Sequence, residues 1–193
     1  KNNCLIKTHV HEGSFDDSNR YQDKYFGKLP EFLSKKSDLI FFVHIHGDYN
    51  SVLKKIRINS IHQLIPFEYF INLKDILFAI IQISSGKIKM SNIKYNDLDV
   101  TNIVESEFRR SGIQLYHWLM YESTSNLLKN YEFDTAYMTY ENIAWENMFI
   151  MSLKNYPYNT KIIGYQHSCV PQSAAGMFIG KNESGIKPLP DKL

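Results

Sequence analysis

Asp134-Thr-Ala-Tyr-Met-Thr-Tyr-Glu-Asn-Ile-Ala-Trp-Glu146 and, fifteen residues on, Lys161-Ile-Ile-Gly-Tyr-Gln-His167 decide the fold. Residues 134–140 read as a buried strand. Residues 143–155 read as a helix, with Trp145, Met148, Phe149 and Leu153 on one stripe. Residues 161–166 read as the next strand. Strand, helix and strand at this spacing form a βαβ unit, whose crossover is right-handed and makes its strands parallel. Upstream, Asp38-Leu-Ile-Phe-Phe-Val-His-Ile-His46 is a nearly continuous apolar run. Such runs suit a strand covered on both faces, as in a parallel sheet.

The rest of the chain extends this pattern. Residues 4–10 can form a first strand, and 11–25 are polar and rich in turn formers. Residues 27–36 resemble a short helix with Pro30 in its first turn. Leu73, Ile76, Leu77, Ile80 and Ile81 repeat with helical period. A long helical region spans about 102–129 and is broken near Gly112, and from Ser168 onward the chain is loop-like. The expected fold is α/β: a Rossmann-like three-layer domain with a mostly parallel sheet. Its length of 193 residues suits one domain.

Composition narrows the function. A net charge of +2, with Lys54, Lys55 and Arg57 as the densest basic group, lacks the concentrated patch of a nucleic-acid binder. The longest apolar run, Ile76 to Ile81, is far too short to cross a bilayer. Cys4 and Cys169 make no disulfide framework, and no signal peptide is visible, so a reducing compartment fits best. The high aromatic share, 14%, accompanies many Ile, Lys and Asn and reads as genome bias rather than function. Glycine-rich phosphate loops and the GxSxG elbow are both absent.

The chemistry-bearing residues follow the strands. Glu141 comes after the strand ending at Tyr140, and His167 after the strand ending at Gln166. Parallel strands put both at one carboxyl edge, where open α/β sheets bind ligands. A carboxylate or imidazole there can take a proton from an attacking hydroxyl, and a protonated imidazole can stabilise a departing phosphate. A structural reading competes: Asn142 caps the following helix, Glu141 and Glu146 favour its positive end, and His167 only makes hydrogen bonds. His46 follows another buried strand and can line the same rim. The pairs His9/His11 and His44/His46 each offer two imidazoles on one strand face, but no carboxylate is fixed beside them, and no metal site is expected. Ser168 and Cys169 beside His167 suggest a hydrolase nucleophile only weakly, because adjacent residues rarely present a triad.

Tyr140-Glu-Asn-Ile-Ala-Trp-Glu146 followed by Gly164-Tyr-Gln-His167 resembles the YEN-x-x-WE and G-Y-Q-H segments of bacterial surface-carbohydrate glycosyltransferases of the GT-B type. Asp23-Lys-Tyr-Phe-Gly-Lys-Leu-Pro30 is similar to the D-x-Y-F-G-x-L-P segment near the start of such domains. Pro188-Leu-Pro-Asp-Lys-Leu193 is similar to the stretch leading into their second domain. Residues 48–129 match no motif of the family, and Ser168 stands where the family usually has glycine. Kdo-type capsule transferases and, more distantly, polyol-phosphate transferases share related motifs.

The resemblance implies an amino-terminal, acceptor-side domain at 1–187 and, at 188–193, the start of a linker to a donor-binding domain outside this chain. It implies a nucleotide-sugar substrate, a surface-polysaccharide or glycolipid acceptor, no cofactor and no metal. The expected place is the cytoplasm, at the inner face of the membrane where the acceptor is a lipid. The implied catalytic residues are Glu141 and His167. Tyr140, Asn142, Gln166, Ser168, His46, His11 and Tyr25 are the implied substrate contacts. A non-catalytic Rossmann-like ligand-binding module is the alternative.

Overall fold

The computed structural model describes residues 2–59, 61–85, 93–110, 113–166, 178, 185 and 187–193. In chain order the elements are β1 (Asn2–Val10), α1 (Leu29–Ser34), β2 (Ser37–Ile45), α2 (Tyr49–Ile58), β3 (Gln63–Pro66) and α3 (Leu73–Ser85). There follow β4 (Lys94–Tyr95), β5 (Leu98–Asp99), α4 (Thr101–Arg110), α5 (Ile113–Leu128), β6 (Thr135–Thr139), α6 (Ala144–Asn155) and β7 (Lys161–Tyr165). Five strands form one sheet in the order β3-β2-β1-β6-β7. Every pairing in it is parallel. The fold is therefore the expected α/β, Rossmann-like three-layer domain.

Strand order explains where a ligand can sit. The chain builds outward from β1 through β2 to β3, then crosses back to lay β6 on the other side of β1. Loops from β1 and β6 leave in opposite directions, which opens a crevice at the carboxyl ends of these two strands. Two apolar clusters fill the layers on either side of the sheet. One joins Cys4, Ile6, Val10, Phe41, Val43 and Ile45 to Val52 and Ile56 of α2. The other joins Leu5, Phe42, Ala136, Met138 and Ile162 to Met120, Leu127 and Leu128 of α5 and Phe149, Ile150 and Leu153 of α6.

Local chemistry starts and stops these elements. Asp48 caps α2, its side chain accepting the N–H groups of Asn50 at 3.0 Å and Ser51 at 3.2 Å. Lys55 and Arg57 occupy the last turn of α2, where cations complement the helix dipole. The β4–β5 hairpin turns on Asn96 and Asp97, both at positive φ, as a two-residue primed turn requires. The final residues run beside the outer edge of β7. The Gly164 N–H donates to the Lys192 carbonyl at 2.8 Å, and the Asp191 N–H to the Ile162 carbonyl at 2.9 Å. A side chain at Gly164 would meet Leu193 at 2.9 Å and Tyr140 at 3.0 Å, so this strand position needs glycine for close approach. Among the described residues no helix is long and apolar enough to cross a membrane.

Candidate active site at the carboxyl edge

Alternation along β1 and β2 builds the first wall. Leu5, Lys7 and His9 point to the layer of α5 and α6, and register sets them opposite Ile40, Phe42 and His44. Toward the carboxyl ends this apolar layer thus turns polar. His9 Nδ1 and His46 Nε2 are 2.8 Å apart and share a hydrogen bond. The His9 ring lies 5.5 Å from Trp145 and 5.3 Å from Tyr25, centroid to centroid. The His44 ring lies 4.7 Å from His46, 5.4 Å from Tyr116 and 5.2 Å from Phe67.

Below the histidines sits Lys7, with no solvent exposure. Its Nζ lies 5.4 Å from the Phe42 ring centroid and 5.2 Å from that of Trp145. Burial pushes the ammonium down to about 7, and the carboxylate of Glu68 pulls the other way. Burial, then Lys7 and His46, hold the His44 imidazolium down to about 3, so this ring is neutral at physiological pH. His46 is lowered by burial first, then by Lys7 and His11.

The second wall is the turn after β6. Asn142 adopts φ +61°, a left-handed conformation that asparagine tolerates better than most residues. The Tyr140 hydroxyl donates to Asn142 Oδ1 at 3.2 Å, and both residues are buried. Tyr140 and Asn142 therefore shape the turn that carries Glu141. Asn142 does not cap α6; the N-cap position is Ile143. The carboxylate at the helix start belongs to Glu146, which accepts the N–H of Glu141 at 2.9 Å and that of Ile143 at 3.0 Å. Burial pushes the Glu146 carboxyl up to about 7 against the pull of these backbone amides. Glu141 itself is half-buried at the rim.

A third wall comes from the loop that resembles the D-x-Y-F-G segment. Asp23 is buried and accepts the Tyr21 hydroxyl and the N–H groups of Tyr25 and Phe26, each at 2.8 Å. The Phe26 ring packs 5.3 Å from Tyr165, which brings the loop across the end of β7. Tyr25 is thereby held beside Glu141: burial first, then the charges of Asp23 and Glu141, raise its hydroxyl above the ordinary tyrosine value.

Of the residues expected at the site, Tyr25 and His46 converge on His9, and the charge of Glu141 reaches Tyr25. His11 stands next to them, its ring nitrogen accepting the Gly13 N–H at 3.1 Å. Gln166 follows β7 at the same edge and is exposed. His167 and Ser168, with Cys169, lie outside the described residues. Among the described residues no group of three or more His, Cys, Asp or Glu is arranged to hold a metal ion. Sequence reading missed Lys7, Glu68, Tyr116 and the partnership of Trp145 with His9. A lysine opposite a phenylalanine in a parallel strand was the one available signal for Lys7. Set against known proteins, the chain matches no family model, no curated protein and no solved structure.

Proposed function

We propose that this domain is the acceptor-side half of a glycosyltransferase, with Glu141 as the base. One observation carries the reading: Glu146, not Glu141, supplies the carboxylate that binds the backbone amides at the start of α6. The structural role that competes for Glu141 is taken by its neighbour. Glu141 stands at the carboxyl edge after β6, half-buried, where its charge reaches Tyr25. There its carboxylate would take the proton of an acceptor hydroxyl as that oxygen attacks the anomeric carbon of a nucleotide sugar. The bond from that carbon to the phosphate oxygen breaks, and the nucleotide departs with the electron pair. His167 would steady the departing phosphate or orient Glu141. The donor would be held by a second domain joined after residue 193. The reaction would take place on the cytoplasmic side, with a membrane-bound glycolipid or a polysaccharide as acceptor.

The test is transfer from nucleotide-sugar donors by the domain joined to its donor-binding partner, with and without Glu141→Gln. The substitution keeps side-chain shape and removes the base. Transfer should fall roughly 10²–10⁴-fold, the usual worth of general base catalysis, with the melting temperature unchanged. A folded Gln variant with normal turnover would exclude Glu141 as the base.

A further inference from the structure

We infer that Lys7, His44 and Glu68 form the floor of a binding site for the ring of a neutral, polyhydroxylated ligand, a sugar by chemical class, approached past His46, Tyr49 and Tyr116. The inference deepens the acceptor side of the transferase reading and rests on that reading for its link to catalysis. Its physical basis is a set of polar atoms that the protein leaves unsatisfied. Lys7 Nζ, His44 Nδ1 and Glu68 Oε2 are buried and have no hydrogen-bond partner among the described residues. A buried polar atom without a partner costs about 1–3 kcal/mol, so three in one place mark a group the fold does not supply.

The three belong together. Lys7 and His44 lie on the same face of neighbouring strands, and the His44 ring packs 5.2 Å from Phe67, the residue before Glu68. The charges of Lys7 and Glu68 act on each other. The Glu68 charge also reaches Tyr49 at the start of α2 and Tyr116 on α5. Tyr116 meets His44 and Phe67 edge to face, with ring centroids 5.4 Å and 5.7 Å apart. The mouth is polar and reachable: His46 and Tyr49 are exposed, and Glu68 and Tyr116 are partly so. A few convergent polar groups among aromatic rings is the usual lining of a small-molecule site.

Charge selects the ligand class. Among the described residues Lys7 is the one cation on this floor, and Glu68 opposes it, so an anion that approaches the amine also meets the carboxylate. A cation faces the reverse conflict. A hydroxyl resolves both, because it accepts from Lys7 Nζ and donates to Glu68 Oε2 with the same oxygen. A second hydroxyl on an adjacent carbon suits His44 Nδ1. The C–H faces of a pyranose ring suit Tyr116 and Trp145.

Saturation-transfer NMR on the chain tests this without any turnover. The probes are the methyl glycosides of glucose, galactose, mannose and N-acetylglucosamine, with inorganic phosphate as the anionic comparison. At least one glycoside should bind through its ring protons. Lys7→Met and Glu68→Gln, each checked for folding by circular dichroism, should each weaken it about tenfold or more, the loss expected for a buried hydrogen bond to a charged group. Phosphate should not compete. Should Lys7→Met fail to fold, Glu68→Gln decides alone. Lys7-dependent phosphate binding without glycoside binding would overturn the inference. So would glycoside binding that survives both substitutions, or a folded wild-type chain that binds no glycoside, which would leave water as the partner of these atoms. Glycoside binding in a protein that shows no transfer would sink the transferase reading alone. Transfer by a protein with no glycoside affinity at Lys7 would sink this one alone.

Discussion

The two faces of the central strands carry the same backbone and opposite chemistry. On one face, Cys4, Ile6 and Val10 of β1 and Phe41, Val43 and Ile45 of β2 are apolar, with Thr8 the one buried polar residue of β1 there. On the other, Leu5 and Phe42 give way to Lys7, His9 and His44. This face packs against α1 and α2. The second face holds α5 and α6 by its amino-terminal half and presents donors and acceptors by its carboxyl-terminal half. Sites in open parallel sheets lie beyond the carboxyl ends of strands, and this face is polar at that end. Apolar packing and clustered polar groups are thus divided between faces and, along the second face, between its two ends.

Neighbouring residues on opposite faces give the largest expected contrast. Ile6 and Lys7 are both fully buried. Ile6→Lys places an ammonium in an apolar layer and should destabilise the domain by about 3–5 kcal/mol, the cost of a poorly compensated buried charge. Lys7→Met should do the opposite and raise stability. The sign follows from the folded amine lying near 7 and the unfolded one near 10.5. Below pH 7 both states bind the proton and the wild-type fold buries a charge. Between about 7 and 10.5 only the unfolded chain binds it, so wild-type stability climbs with pH. The advantage of Lys7→Met should be greatest below pH 7 and shrink toward pH 10.5 in urea unfolding curves. An equal advantage at every pH would mean that Lys7 keeps its proton in the fold as firmly as in the unfolded chain.

His44 gives a contrast on the acid side. Its folded imidazole is held to about 3, against 6.5 for the free side chain. As pH falls from 6.5 toward 3, the unfolded chain takes up a proton that the folded ring, facing Lys7 and His46, refuses. The stability contributed by neutral His44 is complete above 6.5 and is lost across that window. His46 is shifted in the same direction and adds to the slope. His44→Phe should flatten the decline in melting temperature between pH 6.5 and 4 while leaving the value at pH 8 nearly unchanged. A decline as steep as wild type would assign the acid sensitivity to other groups.

Much of the layout was legible because strands buried on both faces cannot hide. The run from Asp38 to His46 and the run from Asp134 to Tyr140 became neighbours of β1. Their shared parallel direction put Glu141, His46 and His11 at one edge. Short elements were less visible. β3 has only four residues and ends on Pro66, and the β4–β5 hairpin depends on Asn96-Asp97 rather than the stronger Asn-Gly. The floor of the site was hidden for another reason. A lysine in a strand ordinarily reads as the solvent side of an alternating pattern, and only packing under Trp145 and Phe42 makes Lys7 interior. Glu68 lies on the short 3-10 turn Phe67–Phe70 after β3, where no periodicity marks it. Glu141 and Glu146 were both visible, but which one serves the helix depended on the left-handed turn at Asn142.

That turn yields the smallest and most discriminating effect. Asn142 sits at φ +61° and accepts a hydrogen bond from Tyr140 at 3.2 Å. Asn142→Ala loses that bond and keeps a β-carbon in the left-handed region, which costs about 1–2 kcal/mol. Asn142→Gly loses the same bond but relieves the backbone, so its cost should be roughly half as large. The catalytic reading separates the pair further. If the turn exists to hold Glu141 at the rim, a more flexible glycine should lower transfer in the joined protein more than its small stability change explains. The loss should appear in kcat, because a wandering base leaves acceptor binding intact. If Glu141 only decorates the rim, Asn142→Gly should transfer sugar at the wild-type rate whatever its melting temperature.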